Sequence, residues 1–139
     1  MADSPDFRHW IAIAEGDLEA ARLLAAQDVT RYGLHVLFHC QQSAEKYLKA
    51  CLRFREVDFP KVHDFEKLLR ICERLSPEFR SLSTATGRLQ PFAVQARYSL
   101  RSAEAATVQK ALEDATSVRD FCRRFMGVDQ TDSGEAPTG

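Results

Sequence analysis

Two glutamines stand side by side in the stretch 38-FHCQQSAEKYLKACLRF-54, and a Glu-Lys pair follows one turn later. At about 100° per residue, Leu37, Cys40, Ala44, Leu48 and Cys51 share one apolar arc. Gln41 falls inside that arc and Glu45 sits on its shoulder. A buried amide left unpaired costs about 1–3 kcal/mol. The spacing therefore predicts that Gln41 meets a polar group across a helix–helix contact, within a bundle or across a dimer. Such a pair would set packing register at some cost in stability.

The opposite arc carries His35, His39, Gln42, Lys46, Lys49 and Arg53. His35 and His39, four apart, share a face and could in principle ligate a metal. Val36 follows the first His where a zinc protease has Glu, so the HExxH signature is absent and no metal is expected. Lys46, Lys49 and Arg53 form a basic stripe, with Lys61 and His63 just beyond the helix. A stripe of this kind can hold phosphates by charge and hydrogen bonds. A solvated helix side accounts for the same pattern.

Other chemistries lack their residues. The chain has neither GxxxxGK[ST] nor GxGxxG, and no GxSxG elbow. Its four cysteines, Cys40, Cys51, Cys72 and Cys122, include no CxxC, which argues against a zinc knuckle. Cys40 and Cys51 lie on one apolar face and read as core in a reducing, cytoplasmic setting. No signal peptide and no membrane-spanning run is visible. Net charge is −1 overall. Residues 31–101 carry 13 basic and 7 acidic side chains, so the middle of the chain is where a phosphate-rich ligand would find attraction.

The elements that must position these residues are helices. The 139 residues, 45% of them hydrophobic, suit one domain with a real core. Ser4 or Asp6 with Pro5 can open a first helix with the stripe Phe7, Ile11, Ala14, Leu18, Ala21 and Ala25, ending near Asp28. Gly33 permits a turn or a close approach, and a second helix is expected over about 32–54. Pro60 breaks the chain, and Asp64 can cap a third helix running to Glu73. Pro77 interrupts, and a further helix over about 78–88 follows. Ser102 is expected to open the last helix, with the stripe Ala105, Val108, Leu112, Ala115, Val118, Phe121 and Phe125, and Gly127 stops it. The fold expected is all-α, an antiparallel up-and-down bundle of four main helices plus a short extra helix. The domain spans 1–126, and 127–139 is a disordered polar tail.

The run 38-FHCQQSAEKYLKACL-52 followed by 60-PKVHDFEKLL-69 resembles the HEPN domain family. Trp10 before 14-AEGDLEAA-21 and the later 96-ARY-98 match the family's remaining elements, so the likeness covers roughly residues 5–126. The resemblance implies a helical bundle that commonly dimerises. Many members accompany a minimal nucleotidyltransferase in a two-component module of toxin–antitoxin type. Other members are metal-independent RNases, in which an Arg followed four to six residues later by His builds one site from two copies.

Arg97 sits about where that Arg would be, yet no His follows, and His63 is the last His in the chain. The RNase motif is therefore incomplete and catalysis by that route is not expected; Arg97 is the one catalytic candidate. Arg97 reads either as a phosphate ligand or as an ion-pair partner for Glu45 or Asp17. The nucleotide- or phosphate-binding candidates are Lys46, Lys49, His63 and Arg97. The structural and interface set is Asp17, Gln41, Gln42, Glu45, Asp64 and Tyr98. No cofactor is expected. The reading is a homodimeric interaction module associated with nucleotide or RNA and with a nucleotidyltransferase chain. The alternatives are an RNase toxin with a degenerate site and a free-standing nucleotide-binding protein.

Overall fold

Asp28 ends one helix and begins the next. In a computed structural model, which describes residues 6–61, 64–93 and 103–130, its backbone N–H donates to Leu24 O at 3.1 Å. Its carboxylate accepts from the N–H groups of Thr30 and Arg31 at 3.1 and 3.0 Å. One extended residue thus joins α1 (Phe7–Gln27) to α2 (Val29–Phe54), and its side chain satisfies two of the amides a helix start leaves open. The short link folds the pair into an antiparallel hairpin, with the ring of Phe7 against Phe54 at 5.0 Å.

Helix α2 begins three residues before the expected Tyr32. Gly33 is therefore inside the helix and makes the close approach rather than the turn. A Cβ built on it would lie 3.1 Å from Ala103 Cβ and 3.4 Å from Val108 Cγ2.

Asp64 caps α3 (Phe65–Glu73) as expected, accepting from Glu66 N at 2.9 Å. Ser76 and Pro77 then start a 3₁₀ turn, Pro77–Leu82, which runs into α4 (Ser83–Leu89) and a second short turn, Gln90–Phe92. The last helix, α5 (Ala105–Met126), starts at Glu104 and not at Ser102, which lies outside the described residues. Gly127 closes it at φ 71°, a left-handed conformation that glycine adopts without strain.

The face that α5 buries is rotated from the expected stripe. Ala105 is exposed, and Leu112, Phe121 and Phe125 are only partly covered. Ala111, Ala115, Val118, Cys122 and Met126 face the core, joined by Asp114, Arg119 and Arg123. The rotation follows from where α5 sits. It runs parallel to α2, where Cys51 Sγ lies 3.9 Å from Cys122 O. It runs antiparallel to α1, where Arg22 donates to Thr116 Oγ1 at 3.2 Å. Helices α1, α2 and α4 all pack on it, so its buried arc is wider than a single stripe.

The described elements are helical throughout, with no strand among them, as the all-α expectation required. Phe79 packs edge-on against Phe121 and Phe125 at 4.8 and 4.9 Å, joining the 3₁₀ turn to α5. All four cysteines are free and buried. Burial pushes the Cys40 thiol up to about 12 and raises Cys51 and Cys72 as well. These thiols are packing groups and not nucleophiles. Among the described residues no helix is long and apolar enough to cross a membrane.

Candidate functional site

The polar side of α2 is built as two separate clusters. In the first, Gln42 Nε2 donates to Gln41 Oε1 at 2.7 Å, and Gln41 Nε2 donates to Glu45 Oε1 at 3.1 Å. Lys49 Nζ donates to Glu45 Oε2 at 2.9 Å. Each of the last two links is an i to i+4 step, the spacing at which side chains stack along a helix. Gln41 is 0% exposed, so the amide is buried as expected. Its partners, however, lie on its own helix and not across a helix–helix contact. A helix long enough to place Glu45 one turn on satisfies the amide locally.

Lys49, itself buried, also lies 5.7 Å from the Trp10 ring centre and 5.8 Å from that of Phe59. Its ammonium is held by one carboxylate and two aromatic faces.

The second cluster centres on Asp17 of α1. Its carboxylate contacts His39 Nδ1 at 2.9 Å and Lys46 Nζ at 2.7 Å. Both cations of α2 that were candidates for phosphate are therefore engaged by carboxylates of the same bundle. Among the described residues no three metal-ligating side chains converge. Asp64 serves as the α3 cap, exposed and apart from both clusters. His63, Arg97 and Tyr98 lie outside the described residues, so of the four phosphate-binding candidates only Lys46 and Lys49 are placed.

The largest polar assembly was not anticipated from the sequence. Glu15 on α1, Tyr47 on α2, and Arg119 and Arg123 on α5 meet in the interior. Tyr47 donates to Glu15 Oε1, Arg119 Nε donates to the same carboxylate at 2.9 Å, and Arg123 Nη1 lies 3.6 Å from it. Arg123 Nη1 also donates to the Tyr47 hydroxyl at 3.0 Å. Burial, reinforced by the Glu15 hydrogen bond, pushes the Tyr47 phenol up, so it stays protonated and donates. Burial works against the Arg119 charge, but the Asp120 and Glu15 carboxylates more than offset it and hold the guanidinium above its ordinary value.

The arginines reach beyond the helices. Arg123 Nε donates to Asp129 O at 2.8 Å, Arg119 Nη2 donates to Gln130 O, and Val128 N donates to Arg123 O at 2.9 Å. Residues 128–130, which fall within the 127–139 segment expected to be disordered, are instead tied to the bundle. Removing one partner from such a buried charge network typically costs about 3–5 kcal/mol. The signal in the sequence was faint: Arg119 and Arg123 are four apart and each follows a core residue of the same helix.

A third polar contact joins α4 to α5. Arg88 holds the buried Asp114 through two hydrogen bonds of 2.8 Å, from Nε to Oδ2 and from Nη2 to Oδ1. That pairing with Asp114 raises the Arg88 guanidinium above its usual value.

The fold and these clusters define an all-helical bundle whose long helices are pinned by charge pairs in and beside the core. The family model described as the HEPN domain matches residues 7–125, and the chain belongs to that family. No curated protein and no solved structure matches it.

Proposed function

We propose that this HEPN-domain protein is a homodimeric interaction module, associated with nucleotide or RNA. Its partner would be a minimal nucleotidyltransferase chain in a two-component system of toxin–antitoxin type. The observation that carries the reading is the state of the chemistry-bearing residues on α2. Lys46 is held by Asp17, and Lys49 and Gln41 by Glu45. Groups committed to one another in this way shape a scaffold. A catalyst would keep a base and a phosphate ligand available to a substrate. The missing His after Arg97 points the same way.

The test is co-expression with the product of the adjacent reading frame, followed by size-exclusion chromatography with light scattering. The expected result is a stable complex containing two copies of this chain and a nucleotidyltransferase. The reading fails if no neighbouring frame encodes such an enzyme, or if the two chains elute separately. RNA cleavage by the pure protein, abolished in Arg97→Ala, would replace it with the RNase reading.

A further inference from the structure

We infer that the groove between α4 and α5 is a binding site for the phosphoryl group of a small metabolite. The inference needs no second chain and stands apart from the partnership proposed above. The groove encloses about 320 Å³ and is lined by Arg88, Phe92, Thr107, Lys110, Ala111 and Asp114. Its charged lining is two cations and one carboxylate, with the Glu113 carboxylate beside Lys110.

The arrangement of the cations points to an anion. Asp114 is buried and grips Arg88 by two of its N–H groups. A guanidinium has five N–H donors in a rigid plane. The remaining donors of Arg88 make no hydrogen bond among the described residues, and 45% of the side chain faces solvent. The buried carboxylate therefore orients an outward-facing fork.

Lys110, one turn before Asp114 on α5, sits 3.9 Å from the same carboxylate and 3.8 Å from Glu113. Those separations are longer than a charge-assisted hydrogen bond, so its ammonium keeps its donors. Thr107, one turn nearer the helix start, adds a hydroxyl and is exposed. An oxyanion with several acceptor oxygens would take donors from all three side chains at once. The volume lies at the small end of ligand pockets. It suits a phosphomonoester of sugar size rather than a nucleic acid strand, and the Phe92 ring at its wall adds apolar contact.

The test is a titration of the whole protein with ribose 5-phosphate, inorganic phosphate and unphosphorylated ribose, followed through the backbone amide signals of Ala106, Thr107, Lys110 and Ala111. Saturable shifts are expected with both phosphates and none with ribose. The affinity should weaken with salt and fall about tenfold in Lys110→Gln, which removes one charged donor. Lys110 is half exposed, so this variant should keep the fold; Thr107→Val is a second, milder probe. The inference is overturned if these amides do not move, if ribose moves them equally, or if both variants bind phosphate as the parent does.

Discussion

Replacing Tyr47 by Phe removes one oxygen from the interior and leaves the ring in place. That oxygen donates to the Glu15 carboxylate and accepts from Arg123 Nη1. Each bond involves a charged group, and such bonds contribute about 1.5–3 kcal/mol apiece. Glu15 keeps Arg119 at 2.9 Å and Arg123 at 3.6 Å, so no buried charge is orphaned. The expected loss therefore falls at or below the bottom of the two-bond sum of about 3–6 kcal/mol, at about 2–3 kcal/mol. For a chain of this size that shifts the melting midpoint by roughly 6–12 °C. Urea unfolding followed by circular dichroism measures it directly. A double-mutant cycle with Glu15→Gln separates the hydroxyl's own effect from its coupling to the carboxylate, which should be about 1–3 kcal/mol. Tyr47→Phe within about 0.5 kcal/mol of the parent, or a coupling indistinguishable from zero, would refute the reasoning: the three helices would then not depend on one shared polar centre.

Alkaline pH should destabilise the protein through its buried thiols. In the unfolded chain Cys40 gives up its proton near 9.0, whereas burial holds it in the folded state until about 12. Above pH 9 the unfolded state binds fewer protons, so stability is complete below that pH and falls between about 9 and 12. The slope is up to about 1.4 kcal/mol per pH unit for each such thiol. Urea midpoints measured across that range should decline less steeply in Cys40→Ala; an unchanged slope would exclude the thiol. Gly33→Val should cost about 2–3 kcal/mol, since the side chain is driven into Ala103 and Val108 where even a Cβ is tight. A thermal melt matching the parent would show that the start of α5 yields freely.

What could be read along the chain was local. The stripe of α1, the core arc of α2, the Asp64 cap and the Gly127 stop all follow from three- and four-residue spacing or from the conformational preference of one residue type. What was missed shares a cause. Gly33 left a turn and a close approach both open, and only the approach of Ala103, seventy residues away, decides between them. The cluster of Glu15, Arg119 and Arg123 went unread, because nothing local to α1 announces a guanidinium 104 residues later. Gln41 was correctly placed in the interior, yet its partner was sought on another helix. The candidate site shows the same limit: charge type was legible for Lys46 and Lys49, but not that Lys49 is buried beside Glu45 rather than on the polar arc with Lys46, nor that carboxylates engage both.

The strap formed by residues 128–130 has a bearing on how the chain is made. When α1 and α2 leave the ribosome they can pair at once, but Glu15 is then a carboxylate facing the interior with neither arginine yet synthesised. Desolvating it with only the Tyr47 hydroxyl as partner is costly, so the hairpin stays wet there until α5 arrives. The carbonyls of Asp129 and Gln130 follow later still, and each accepts a hydrogen bond from one of the two guanidiniums. Nascent chains halted before that point would carry an unsealed, wet interface on the inner side of α1, a surface for chaperones to hold until the missing turn emerges.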